Sequence, residues 1–280
     1  MNYILLDLEW NNAYFKKTHG FINEIVEIGS VKLNENFEKI DKFKVIVKSS
    51  ITNKLSGRFK ELTGMTNEIM LDGIGFNKAI SEYKKWAGEN TVTFTWSDSD
   101  LYVLYDNCYY FTDSPDNAKL GLYADLQKIF HHELALMGKG EKNQISLSKA
   151  AEMFGINYDN QILHHAVDDS EISAEILKKC YNKERAEQFI TDTNNPEFYK
   201  KLRFKSYYIS NIKDPEVNKN QLFVNCSVCN KNAKRLTEFK FRHKSFSADF
   251  YCKHCNLKFK GYISFKKLYD TVEIKKGQNP

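Results

Sequence analysis

Met1-Asn-Tyr-Ile-Leu-Leu-Asp-Leu-Glu-Trp10 decides how the rest of the chain is read. Its apolar run, Tyr3 to Leu6, leads into two carboxylates, Asp7 and Glu9. At strand period these two point the same way and Leu8 points the other. Four apolar residues ahead of them predict a central strand covered on both faces. Carboxylates at the end of such a strand are costly to bury unless a cation neutralises them. Taken alone, Asp-x-Glu fits a strand end with two solvated acids equally well. Half of a divalent-metal site is the alternative, and the remaining sequence has to decide.

Outward from that strand, Asn11 to Gly20 reads as a polar loop. Glu24 to Leu33 and Phe43 to Val47 read as a hairpin of two further strands around the turn Asn34-Glu-Asn36. Leu62 to Met65 reads as a short segment between loops. Phe76 to Trp86 carries apolar residues at helical spacing and stops at Gly88. Val92 to Thr95 is a β-branched strand. It feeds a helix over Leu101 to Tyr110, with Ser97 or Asp98 as N-cap. Leu120 to Tyr123 reads as a last short strand. Helices follow over Leu126 to Met137, Ser146 to Phe154 and Ala166 to Cys180. The result is an α/β chain with a mixed five-stranded sheet flanked by helices. The expected division is a domain over 1–182, a polar, tyrosine-rich connector over 183–220 and a small module over 221–280.

Composition narrows the function classes. The 280 residues are 42% hydrophobic and 28% charged, ordinary for a globular protein. No run approaches the length of a membrane span, so no membrane partner is expected. Asp7 and Glu9 interrupt any signal-peptide pattern, which makes a cytoplasmic location the expectation. Six cysteines in such a chain point to metal or buried thiols rather than disulfides. The net charge of +5 is uneven: residues 221–280 hold thirteen Lys/Arg against four Asp/Glu, and the rest is slightly acidic. A basic module on an acidic body suggests a polyanion partner, most simply nucleic acid, although a solvated basic surface has the same composition.

Two more acidic clusters follow strand-to-helix boundaries. One is Asp98/Asp100. The other is His164-His165-Ala166-Val167-Asp168-Asp169. Helix dipoles favour acids there in any protein. Four carboxylates converging on one sheet edge would nevertheless repel unless cations lie between them, and hard oxygen ligands select Mg²⁺ or Mn²⁺.

At this point the chain resembles the DEDDh 3′→5′ exonucleases of the RNase H-like superfamily. The resemblance rests on Asp-x-Glu in the first strand, an Asp after the fourth, and His-x-Ala-x-x-Asp near residue 169. Within that family several stretches look most like the group that trims histone mRNA and small RNAs. The resemblance is carried by Glu24-Ile-Val-Glu-Ile-Gly-Ser-Val, Leu62-Thr-Gly-Met-Thr66, Thr95-Trp-Ser-Asp-Ser-Asp-Leu101, Asp125-Leu-Gln127 and His165-Ala-Val-Asp-Asp169, and covers about residues 1–180. It implies Asp7, Glu9, Asp100 and Asp169 as ligands of two Mg²⁺ or Mn²⁺ ions. It implies His164, rather than His165, as the general base. It places the grip on the terminal nucleotide at Leu8, Trp10, Thr63, Gly64 and Met65; Trp10 suits a core position equally well. The implied reaction is hydrolysis of terminal phosphodiesters of single-stranded nucleic acid to nucleoside 5′-monophosphates, with RNA favoured over DNA. The second motif departs from the proofreading enzymes, with Trp-Ser-Asp-Ser-Asp in place of Asn-x-x-x-Phe-Asp, but no carboxylate is lost. A DNA exonuclease of repair or proofreading and an inactive nucleic-acid-binding adaptor are the rival readings.

In the C-terminal module, Cys226-Ser-Val-Cys229 and Cys252-Lys-His-Cys255 have the spacing of paired zinc knuckles. They predict one structural Zn²⁺ held by Cys226, Cys229, Cys252 and Cys255 in a β zinc ribbon. The strands are expected over Thr237–Phe246 and Ala248–Tyr251. His243 and His254 read as bystanders, and Cys108 and Cys180 as buried apolar residues. Lys234, Arg235, Lys240, Arg242, Lys244, Lys258 and Lys260 are interleaved with phenylalanines, the composition of a single-strand binding surface, although several of those rings must fill the small core; docking of a protein is the competing reading.

Overall fold

The computed structural model describes residues 1–140, 143–158 and 165–279, position 279 by its backbone only. The chain divides into two compact units, Met1–Leu202 and Arg203–Pro280. No helix among the described residues is long and apolar enough to cross a membrane.

The first unit is built on a sheet of β1 (Asn2–Phe15), β2 (Gly20–Leu33), β3 (Lys39–Lys48), β4 (Ile74–Gly75), β5 (Thr91–Thr95), β6 (Leu122–Asp125) and β7 (Thr191–Asp192). Their order is β4-β3-β2-β1-β5-β6-β7, so β1 is central. It pairs antiparallel with β2 and parallel with β5. The two-residue β4 and β7 are edge pairings on the five strands expected from the sequence. β1 and β2 are longer than expected, because Asn11 to Phe15 continues the ladder as a two-stranded ribbon with Gly20 to Glu24. Cross-strand pairs hold that ribbon: Asn12 Nδ2 donates to Asn23 Oδ1 at 2.8 Å, and Tyr14 meets Phe21 edge-on. Asp7 and Glu9 therefore sit in mid-strand, beside a bulge at Glu9/Trp10 that leaves Val26 of β2 with no residue opposite.

Helices α1 (Gly57–Thr63), α2 (Asn67–Leu71), α3 (Phe76–Ala87), α4 (Ser99–Phe111), α5 (Leu126–Leu136), α6 (Leu147–Met153), α7 (Ala166–Cys180), α8 (Lys183–Ala186) and α9 (Pro196–Arg203) flank this sheet. Ser56, Thr66, Asp125 and Ser146 cap α1, α2, α5 and α6 by accepting a first-turn amide on the side chain. Leu6, Leu8 and Ile28 pack with α3 and α4 on one face; Tyr3, Leu5 and Val31 pack with α5 to α7 on the other. Residues 183–202 pack with this unit, Ala186 in one core and Tyr199 in the other.

One glycine sets the distance between α7 and the sheet. Gly29 lies opposite Asp7 in the ladder, and a Cβ there would sit 2.3 Å from the backbone of Ala166 and Val167. Only a bare α-carbon admits α7 so closely. Ser170 Oγ then donates to Gly29 O at 3.2 Å.

The second unit is a six-stranded antiparallel sheet. Its strands are β8 (Tyr207–Tyr208), β9 (Lys234–Arg235), β10 (Lys240–Arg242), β11 (Ser245–Cys252), β12 (Leu257–Lys267) and β13 (Val272–Asn279). The main order is β10-β11-β12-β13, with β8 on β12 and β9 on β11. Phe246, Phe250, Ile263 and Phe265 form its core with Val224 and the cysteine region.

Candidate active site and cysteine cluster

β1 carries Asp7 and Glu9, and the first turn of α7 carries Asp169. One carboxylate oxygen from each can be chosen so that all three lie within 4.8 Å of one another. The close approach at Gly29 makes this possible, because it lays the start of α7 beside the middle of β1. Of the two aspartates left open at that helix start, Asp169 joins the cluster. Asp168 instead lines a depression shared with Lys39 and Glu171.

Asp100 reaches the same region from α4. β5 is short: its last partner on β1 is Leu5, so the β1 edge beyond it has no strand beside it. There Leu8 N donates to Asp100 Oδ1 at 3.1 Å. Asp98 is only partly buried and is ion-paired with Lys128 at 3.5 Å. Asp100 is buried, while Asp98 is not.

The electrostatics are those of carboxylates held together against their repulsion. Burial, then Asp100, Asp169, Glu9 and Glu27, hold the Asp7 carboxyl well above the ordinary range. Burial, then Asp169, Glu27 and Asp100, push Glu9 up to about 8. Burial raises Asp100 to about 7, against the stabilising amide of Leu8 and with Asp125 and Asp169 adding repulsion. A divalent cation is what such an oxygen set fits: hard donors that converge, half-buried at Asp7, Glu9 and Asp169 and buried at Asp100.

Two participants carried no role in the sequence reading. Glu27 lies directly across the ladder from Glu9, is 1% exposed, and pairs with Lys44 at 3.2 Å. A glutamate inside the apolar run of β2 was the available signal. Asp125 ends β6 and caps α5, held by Lys128 at 3.0 Å. Its signal was an acid between a strand and a helix.

The nucleotide-gripping residues fall in different surroundings. Leu8 is buried and Trp10 half-buried in the cluster under α3 and α4. Thr63 and Met65 are also buried; Thr63 Oγ1 donates to Phe59 O and accepts from Met65 N, closing the end of α1. Gly64 takes the left-handed cap position, φ 64°. Leu62 is the exposed apolar side chain of this turn. His164 lies outside the described residues; His165 is the N-cap of α7.

In the second unit the sulfurs of Cys226, Cys229, Cys252 and Cys255 lie within 4.8 Å of one another, and all four cysteines are free. Cys229 and Cys252 approach to 3.5 Å. Each C-x₂-C pair is followed by an asparagine in the left-handed region, Asn230 at φ 54° and Asn256 at φ 53°. In the first pair this turn brings Asn230 N to Cys226 O at 2.8 Å. Sulfurs at these separations fit a tetrahedral thiolate site with metal–sulfur bonds of about 2.3 Å. His254 Nδ1 is 3.8 Å from Cys255 Sγ, beside the cluster. Cys108 and Cys180 are buried apart from it, and burial pushes both thiols up to about 12.

The sequence profile of an exonuclease family, the RNase T type, matches residues 18–177, more than half of the chain. The chain belongs to this exonuclease family. The match takes in Asp100 and Asp169 and begins after Asp7 and Glu9, which join the site by geometry. A PolC-type DNA polymerase III of Clostridium perfringens is 25% identical over 217 residues, 75% of this chain but 13% of the polymerase. The probable 3′-5′ exonuclease KapD of Bacillus subtilis is 27% identical over 177 residues, 62% of this chain and 82% of KapD. Among solved structures, the nuclease domain of 3′hExo, a DEDDh family member bound to rAMP, superposes with a TM-score of 0.52 at 22% identity. That likeness, over 64% of this chain and 90% of the domain, is one of fold.

Raised carboxyl pKa values mean that the folded state holds protons more tightly than the unfolded chain. Their stabilising contribution is present below the unfolded value near 4.5 and is lost as pH rises towards 8. In metal-free protein near pH 8, Asp7→Asn is therefore expected to raise Tm by several degrees, and the gain should shrink near pH 4.5. Millimolar Mn²⁺ should stabilise the parent more than the variant. Differential scanning calorimetry at the two pH values checks this; a variant less stable than the parent near pH 8 without metal contradicts it.

Proposed function

We propose that the chain is a metal-dependent 3′→5′ exonuclease that hydrolyses terminal phosphodiesters of single-stranded nucleic acid to nucleoside 5′-monophosphates. The observation that carries this reading is the convergence of Asp7, Glu9 and Asp169 within 4.8 Å, with Asp100 latched to the Leu8 amide beside them. These four carboxylates would hold two Mg²⁺ or Mn²⁺ ions. Such ions supply Lewis-acid polarisation of the phosphodiester and a water of lowered pKa.

The chain's own residues have three tasks. The carboxylates gather positive charge where the scissile phosphate must sit, on a central strand whose position is fixed from both faces. His164 accepts a proton as water attacks phosphorus, the general-base role that an imidazole commonly takes. The phosphorus–O3′ bond breaks, leaving a 3′-hydroxyl on the shortened strand and a phosphate on the released nucleoside. Leu8, Trp10, Thr63, Gly64 and Met65 fit a supporting role for the terminal-nucleotide site, with exposed Leu62 as the side chain of that turn nearest to solvent.

RNA is favoured over DNA on the motifs shared with the histone-mRNA and small-RNA trimming group. DNA is the second reading, favoured by the curated relative named a DNA polymerase. The four cysteines support a zinc ribbon with one structural Zn²⁺, and the whole chain reads as a cytoplasmic enzyme.

A time course on 5′-labelled single-stranded RNA and DNA with Mg²⁺ or Mn²⁺ tests the activity. The expected result is a ladder shortening from the 3′ end, abolished by chelation and by Asp7→Ala and Asp169→Ala, and slowed about 10²–10⁴-fold by His164→Ala. An unshortened substrate that is still bound would turn the reading to the adaptor. For the zinc, one equivalent of metal should be released by thiol modification. Cys229→Ser should lower the Tm of the second unit by well over 5 °C, because a core of this size depends on its metal. Metal-free protein with an unchanged unfolding profile would contradict the site.

A further inference from the structure

We propose that the open face of the β10–β13 sheet is the surface that carries the single-stranded nucleic acid, holding phosphates with its basic side chains and a base on Tyr262. This deepens the exonuclease reading, on which it rests for the choice of polymer.

The alternation of the strands separates two chemically different faces. Phe246, Ala248, Phe250 and Cys252 of β11 point into the core with Ile263 and Phe265 of β12. The phenylalanines between the basic residues are thus largely core residues; Phe250 and Phe265 have no exposed surface. The opposite positions carry Lys240, Arg242, Lys258, Lys260, Lys266 and Lys275. The acids at equivalent positions are Asp249 and Glu273, and Glu273 is ion-paired with Lys275 at 3.2 Å. Six cations against two acids on one open face complement a polyanion.

The arrangement favours a nucleic-acid strand over an acidic protein surface. Residues two apart on a strand repeat at about 7 Å, so Lys258 and Lys260 lie at the spacing of successive phosphates in an extended strand. Arg242, His243, Ser245, Ser247, Lys260 and Tyr262 line a surface depression of about 380 Å³. Its cations and hydroxyls are donors suited to phosphate oxygens. Tyr262 pairs with Gly277 across the ladder, and a Cβ at position 277 would lie 2.3 Å from Tyr262 Oη. The ring therefore lies down over the neighbouring strand instead of standing off the sheet. A flat ring among basic side chains is the stacking element of single-strand binding surfaces.

The test measures binding of unstructured 5′-labelled RNA and DNA oligonucleotides by full-length protein carrying Asp7→Ala to stop turnover, over a range of salt. Arg242→Ala/Lys260→Ala is expected to weaken binding about tenfold at low salt and to reduce the slope of log K against log salt by about 1.4, at ~0.7 per phosphate contact. Tyr262→Ala should weaken binding with the slope unchanged. Lys213→Ala/Lys219→Ala, which removes equal charge from exposed positions outside the sheet, should stay within twofold. Parental binding by the Arg242/Lys260 variant, an equal loss in the Lys213/Lys219 control, or displacement by polyglutamate as effective as by nucleic acid would overturn the proposal. Cleavage is scored separately with Asp7 intact: its absence counts against the exonuclease reading, and loss of the binding difference counts against this face.

Discussion

Like charge confined to a half-buried place is the constraint on which the first unit turns. Asp7, Glu9 and Asp169 converge while Asp100 and Glu27 press on them from either side. In water the carboxylates would separate; here the scaffold forbids it. β1 is the central strand, held by β2 along its whole length and by β5 over its first residues. Gly29 lets the start of α7 lie against the sheet, which brings Asp169 to Asp7 and Glu9. The Leu8 amide tethers Asp100. The strain is electrostatic and is relieved by binding positive charge, so the same geometry that weakens the metal-free protein equips it to hold a cation.

The second unit solves a different problem with the same economy of means. Its sheet has one apolar side and a modest core, and the four sulfurs stand where the loops before β9 and after β11 meet. The left-handed asparagines after each C-x₂-C turn the chain so that both pairs face inward. With the cysteine cluster and the phenylalanines on one side, the other side is left free to be basic.

Much of this was legible in the sequence for identifiable reasons. Alternation alone put Asp7 and Glu9 on one side of a central strand, and the 3.6-residue period located α3, α5, α6 and α7 to within a residue or two. Cysteine spacing located the sulfur cluster. The extension of β1 through Asn11–Phe15 was not legible, because its buried positions are taken by a polar Asn11 and a small Ala13 while the larger Tyr14 stays exposed, which blurs the apolar alternation. Neither was the work of Gly29 or Glu27, since both depend on what packs against β2 from elsewhere in the chain. The phenylalanines of residues 239–259 sit between lysines, so the sequence shows that several of them must fill the small core but not which ones. Folding at period two sends most of those rings inward and the lysines outward. Thr63 and Met65 likewise look like surface contacts in sequence, and are buried in the turn that ends α1.

The central claim is that the acidic cluster exists to bind a divalent cation. Anomalous diffraction from crystals grown with Mn²⁺ and a nucleoside 5′-monophosphate tests it directly. The account predicts a manganese peak coordinated by oxygens of Asp7, Glu9 and Asp169, with the phosphate against it. Crystals that bind the nucleotide but show no manganese there, with the three carboxylates turned apart, would contradict it.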